Sequence, residues 1–166
     1  MQTEITNEIG LIPLQADTSL LKDPKKFSNG DLKTLKDIAQ FNPRFFVRRR
    51  IFSTDSMHFN IYCIEPGQSN PLHKHSGSDE ICYFVEGTGD VIVGNEIAAV
   101  EPGDCVHIPK DVGHEIINTG TERMIVVLAQ SPLPCAHEKV PNPPTEFQRV
   151  NVARKSLPSA DLGRDE

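Results

Sequence analysis

With 166 residues, the chain is long enough for one domain with a buried core and too short for two of ordinary size. Its 23 acidic residues against 17 basic ones leave a net charge of −6, which argues against a nucleic-acid or anionic-membrane binder, since both need a basic surface. No run approaches the roughly 20 apolar residues of a membrane span, and the opening MQTEITNEIG lacks the basic-then-apolar order of a secretory leader. The four cysteines (Cys63, Cys82, Cys105, Cys135) form no C-x-x-C pair, and three of them sit in apolar runs. A cytoplasmic protein without a disulfide framework is the reading.

Residues 1–44 are polar and mixed, and read as an N-terminal arm. Within LKTLKDIAQF, Leu32, Leu35, Ile38 and Phe41 recur at helical spacing. The pattern predicts a short helix capped by Asp31, stopped at Asn42-Pro43 and packed on the outside of the downstream domain. From 45 to 130 the texture changes to short β-branched and aromatic runs: FFVRRRIF, HFNIYCIE, EICYFVEG, DVIVGN, EIAAVE, DCVHIPK, HEIINTG and RMIVVLAQ. Turn signals separate them, among them Pro66-Gly67, Gly94-Asn95 and Pro102-Gly103. Close, even spacing with no helix-length connector predicts an all-β sandwich or small barrel and argues against a parallel α/β sheet. Residues 131–166 are rich in proline and charge and poor in apolar residues. They read as a loose extension, with wrapping of a neighbouring subunit as the alternative.

The chemistry-bearing segment is PGQSNPLHKHSGSDEICYFVEG. His73 and His75 are two apart, so on a strand both imidazoles face one way. Glu80 opens the next apolar run, and a tight reversal over Ser76-Gly77-Ser78 would lay its carboxylate beside them. A third imidazole, His114, begins the strand HEIIN. Three neutral nitrogens and one anion suit a divalent transition metal with coordination positions left open, unlike a closed structural zinc site. With Glu80 inward, period two puts Cys82 and Phe84 on the same face, where Cys82 reads as a small core thiol. His58, Asn60, Tyr62 and Ile64 share another face, which is either solvated or pocket-lining, and Tyr62 is the acid/base candidate there. Arg48 and Arg50 lie opposite Arg49. An inward Arg50 would grip a substrate carboxylate bidentately, whereas an outward one would pair with surface acids. His107 is placed on the outer face and His137 in solvent.

The stretch Gly67-x5-His73-x-His75-x4-Glu80-x6-Gly87 resembles the first motif of the cupin superfamily, and Gly103-x5-Pro109-x4-His114-x3-Asn118 resembles its second. The one departure is Asp111, where the family usually has glycine. Asp tolerates left-handed backbone, and Gly113 is a second source of flexibility. The resemblance implies a double-stranded β-helix, a jelly-roll barrel of six to eight antiparallel strands, with Gly67, Gly87 and Gly103 at turns. It implies one divalent metal held by His73, His75, Glu80 and His114, with Fe favoured over Mn, Ni or Zn. It also implies a metal-dependent enzyme acting on a small carboxylate, enol or carbonyl substrate, and a homodimer. A dioxygenase is favoured, because no Lys or other dedicated base accompanies the ligands. The alternatives are a non-redox lyase, isomerase or decarboxylase, or a non-catalytic binding barrel.

Overall fold

A computed structural model describes residues 25–27 and 29–155, so expectations for residues 1–24 and 156–166 lie outside the described residues. The chain begins with a hairpin of β1 (Lys25–Phe27) and β2 (Gly30–Leu32), followed by one helical turn, α1 (Leu35–Ile38). Nine strands come next: β3 (Val47–Ser53), β4 (His58–Ile64), β5 (Ser69–Lys74), β6 (Asp79–Glu86), β7 (Gly89–Val93), β8 (Glu96–Val100), β9 (Cys105–Ile108), β10 (His114–Ile117) and β11 (Met124–Ser131). The C-terminal segment adds β12 (Glu138–Lys139) and β13 (Gln148–Val150). They assemble into a five-stranded sheet, β3-β4-β11-β6-β9, facing a six-stranded one, β12-β5-β10-β7-β8-β13. Strands distant in sequence alternate within each sheet, which is the double-stranded β-helix the motifs imply. The two sheets hold eleven strands, nine of them (β3 to β11) from the barrel segment where six to eight were expected, and among the described residues the one parallel pair is β13 with β8.

Alternation along the strands decides what lies between the sheets. In β6, Glu80, Cys82 and Phe84 are buried while Asp79, Ile81 and Tyr83 are exposed. They join Tyr62, Ile64, Val91, Ile108, Ile116, Met124, Val126 and Leu128 in the inner core. The polar face of β4 therefore lines the interior, not solvent. Its other face is also buried: Ile61 and Cys63 pack with Ile38, Ile51, Leu35 and Phe41 outside the five-stranded sheet. Each such side chain removed from water contributes about 1.5–3 kcal/mol.

The helix covers that outer face as expected, but it is one turn long and Asp31 does not cap it. Asp31 sits in the hairpin opposite Lys26, and Thr34, in extended conformation, precedes the turn without a side-chain cap. Lys33 Nζ donates to Ile51 O at 2.6 Å and ties the preceding residues to β3. So short a helix has little stability of its own, and packing on the sheet fixes where it begins.

Over residues 131–155 the C-terminal segment is not loose but paired with the barrel of its own chain. β12 pairs with β5, and β13 with β8, so the segment covers both edges of the six-stranded sheet. Arg149 meets Asp90 at 3.0 Å, and Arg154 pairs with both Asp104 and Glu101. Val140 lies against Gly113, where an added Cβ would stand 2.9 Å from its Cγ2. Gly113 thus provides room for the arm. The left-handed turn of the second motif is made by Asp111 itself, at φ 67°.

Candidate metal centre

His73 on β5 and His114 on β10 are direct cross-strand partners in the six-stranded sheet. His75 lies just past the end of β5, and the reversal through Gly77, at φ 75°, brings in Glu80 on β6 of the facing sheet. One donor atom from each of these four residues lies within 4.8 Å of the others, and all four residues are buried. The interior brings together the two motifs on these four side chains.

The outer nitrogens of the imidazoles are already committed. Nδ1 of His73 faces Pro71 O at 2.7 Å, that of His75 faces Ala136 O at 2.6 Å, and that of His114 faces Val112 O at 3.0 Å. A carbonyl only accepts, so each Nδ1 carries a proton, and the Nε2 of His73 and of His114 presents a lone pair inward, while that of His75 faces Glu80. Nε2 of His73 and of His114 are buried with no hydrogen-bond partner among the described residues. Orphaned lone pairs in an apolar interior are costly, and a cation resolves them. Backbone groups that fix the tautomer are also the usual support of imidazoles that bind metal. Three neutral nitrogens and a carboxylate, arranged in this way, fit a divalent transition metal.

The electrostatics agree. Burial holds His73 well below the ordinary imidazole range and lowers His114 as well, so both are neutral donors. Burial works against the His75 imidazolium too, but hydrogen bonds to Cys135, Glu80 and Ala136 O overcome it and push the pKa up to about 10. Burial likewise opposes the Glu80 carboxylate, and His75 and His114 overcome that and hold it below the usual range. His75 Nε2 and Glu80 Oε2 stand 3.2 Å apart as an ion pair. A divalent metal would replace the shared proton there.

Around these four lie groups of differing legibility. Cys82 is a core thiol, as expected, but its Sγ also donates to Glu80 Oε1 at 3.2 Å. Burial first, then Glu80, raises its pKa and keeps it protonated. Tyr62 is fully buried, with its Oη lacking a hydrogen bond of good geometry. Burial first, then Glu80, pushes that hydroxyl far above the usual phenol range, while Arg48 opposes the shift. Arg48 and Arg50 sit opposite Tyr62 and Asn60 on β4 and so face inward. Arg49, on the other face, donates to Ile38 O. Among the described residues neither Arg48 nor Arg50 reaches a carboxylate, whereas the exposed Arg123 and Arg149 both do. Burial, then Arg48, lowers the pKa of Arg50.

Three contributors escape the sequence. Gln130, near the end of β11, sets its side-chain amide against Glu80 and His75. Its only sequence signal is a polar residue at an inward position of an apolar strand. Ala136 contributes a carbonyl, which no side-chain pattern reveals. His137 stacks on His73 with ring centroids 3.7 Å apart and planes 10° from parallel. Solvent reaches it, but it is part of the site's surroundings and not a free residue of the arm. His107 is exposed on the outer face as expected, 3.7 Å from Asp79. Cys105, read as part of an apolar run, is exposed because β9 is the edge of its sheet.

Comparison with known proteins agrees with this geometry. Residues 60–129 match the family profile described as Cupin domain. An uncharacterized protein of Methanocaldococcus jannaschii is 38% identical over 72 residues, a match spanning 43% of this chain and 57% of that relative. A crystal structure from Thermus thermophilus superposes with a TM-score of 0.60 at 31% identity, over 62% of this chain and 98% of the other. A predicted oxalate decarboxylase from Thermotoga maritima gives a TM-score of 0.51 at 25% identity, over 53% and 81% of the two chains. Motif spacing, strand order and these likenesses converge, and the chain belongs to the cupin family.

Proposed function

We propose that the protein is a metal-dependent enzyme acting on a small polar substrate that carries a carboxylate, enol or carbonyl group. His73, His75, Glu80 and His114 would hold one divalent transition metal, with iron favoured over manganese, nickel or zinc. The carrying observation is the buried cluster of three inward Nε2 atoms and one carboxylate, with every Nδ1 held by a carbonyl. A metal so held supplies Lewis-acid polarisation of a bound oxygen, or presents O₂ beside a chelated substrate. The chain supplies the rest. Arg48 and Arg50, two half-buried guanidiniums without carboxylate partners among the described residues, favour an anionic substrate group whose charge would relieve their repulsion. Tyr62 offers an un-ionised hydroxyl as donor, and the stacked His137 flanks the cluster.

Tyr62 and Cys82 both stay protonated at neutral pH, so neither is a base. That supports the dioxygenase reading over one that begins with proton abstraction. A second reading, a non-redox decarboxylase, lyase or isomerase, draws on the likeness to the Thermotoga protein and on His137, an imidazole placed at the cluster. We further place the enzyme in the cytoplasm as a homodimer joined through the exposed Ile81 and Tyr83 beside edge strand β9. Among the described residues no helix is long and apolar enough to cross a membrane.

The test is elemental analysis, solution mass and oxygen-electrode assays, on enolic and thiol-containing acids, of one preparation. We expect one metal per chain, a mass twice 18.4 kDa, and oxygen uptake abolished in Glu80→Ala. Turnover of an acid without oxygen uptake would select the second reading, and absence of metal from freshly purified protein would sink both.

A further inference from the structure

Four buried or half-buried polar side chains run in a line from the barrel wall to the carboxylate of the cluster. Arg50 Nε donates to Asn60 Oδ1 at 2.8 Å. Asn60 Nδ2 donates to Gln130 Oε1 at 3.0 Å. Gln130 Nε2 donates to Glu80 Oε2 at 2.6 Å and stands 3.0 Å from His75 Nε2. Asn60 and Gln130 are each only 2% exposed, so the middle of the line is sheltered from solvent.

The direction of the line comes from chemistry alone. A guanidinium has donors and no acceptor, so Asn60 must turn its oxygen to Arg50 and its NH₂ to Gln130. Gln130 must then meet that NH₂ with its own oxygen, which leaves its NH₂ facing Glu80 and His75. Glu80, as a carboxylate, favours the same orientation from the other end. Once a cation neutralises Glu80, that end weakens, and the cation attracts the Gln130 oxygen instead. An amide oxygen is a competent metal donor, whereas an amide NH₂ is not. What then holds the oxygen away is the Arg50 end of the line.

We propose that Arg50, acting through Asn60, is a positioning residue that keeps the Gln130 amide oxygen turned away from the metal centre. It thereby prevents a fifth protein donor and preserves two open coordination positions. This rests on the metal reading above and deepens it, giving Arg50 a role distinct from gripping substrate through its remaining nitrogens.

The test counts water at the metal with a neutral reporter: bulk-water proton relaxation by Mn²⁺-loaded protein. Removing the Arg50 charge does not bias that probe as it would an anionic ligand. Wild type should show the relaxivity of two exchanging waters. Arg50→Met should fall to about half, as Gln130 replaces one water in a six-coordinate site. Gln130→Met alone should match wild type, and the Arg50→Met/Gln130→Met double variant should return to the wild-type value. Arg50→Lys, which keeps a donor-only end, should resemble wild type, and Asn60→Leu cuts the line equally if Arg50→Met fails to fold. Unchanged relaxivity in both Arg50→Met and Asn60→Leu overturns the relay alone. So does a gain in Gln130→Met, which would mean the amide is already a ligand. A wild type that takes up neither Mn²⁺ nor Fe²⁺ removes the metal-centre reading itself.

Discussion

Gly67 and Gly87 share a left-handed backbone, at φ 80° and φ 79°, but not their surroundings. Nothing lies within 4 Å of a Cβ built on Gly67, whereas one on Gly87 would stand 2.5 Å from Arg123 O and 2.7 Å from Met124 Cα. Gly67→Ala should therefore cost about 1 kcal/mol of backbone strain. Gly87→Ala should cost about 3 kcal/mol, because β11 must also shift. Urea denaturation would check the difference, and equal costs would show that the β6–β11 contact is not as tight as described. At this scale the buried cluster was readable, since imidazoles two apart and a carboxylate five residues on are side-chain chemistry written in the chain. Asp111 was readable too, because few other residues accept its φ. Gln130 and Ala136 were not. An amide gains its role from what it faces, and a carbonyl belongs to every residue alike. Arg50 was read as facing inward or outward, and its bond to Asn60 depends on the register of β3 with β4, which period alone does not specify.

Among the elements, the C-terminal arm departs furthest from expectation. Its anchors are main-chain pairings and ion pairs to groups far away in sequence, so composition shows only prolines and charge. The Arg154 guanidinium, and to a lesser extent the Glu101 amide, hold the Asp104 carboxyl below its usual value of 3.8, against a smaller opposing effect of burial. A depressed carboxylate contributes stability above its unfolded pKa and loses it as pH falls through the folded value. The anchor should thus be intact at neutral pH and fail below about pH 3.8. Amide shifts of Gln148–Val150 followed by NMR should report β13 leaving β8 in that window. Arg154→Ala should produce the released spectrum already at pH 7. Retention of β13 in that variant would show that ladder hydrogen bonds alone secure the strand. The helix was legible in its apolar spacing and its outer position, but its start, fixed by packing on the sheet, was not, because the β1–β2 hairpin takes up Asp31 and Leu32. Hairpin and helix compete for the same residues, and propensity does not say which wins.

For the molecule as a whole, folding and cation binding should be linked. The inward Nε2 atoms exist as a set only in the folded barrel, so a metal binds the native state and not the unfolded chain. At a hundredfold excess over Kd, this stabilises by about 2.7 kcal/mol. For a chain of this length that is roughly 5–10 °C in Tm. Chelation should lower Tm by that amount, and Glu80→Ala should be insensitive to chelator. Identical melting of chelated and loaded wild type would argue that the cluster binds nothing. The barrel itself was legible at this scale from short strands and turn signals, and the division of nine strands between two sheets was not, since pairing partners lie far apart in sequence.

The arm's seat on the barrel has a practical consequence. His75 leans on the carbonyl of Ala136, Ser78 donates to the carbonyl of Pro132 at 2.6 Å, and Gln130 stands just past the family-matched segment 60–129. A fragment cloned to those recognisable limits would discard Arg50, Gln130 and Ala136 together. It would keep all four candidate ligands and lose the parts that aim them, so the working unit is larger than the signature by which it is found.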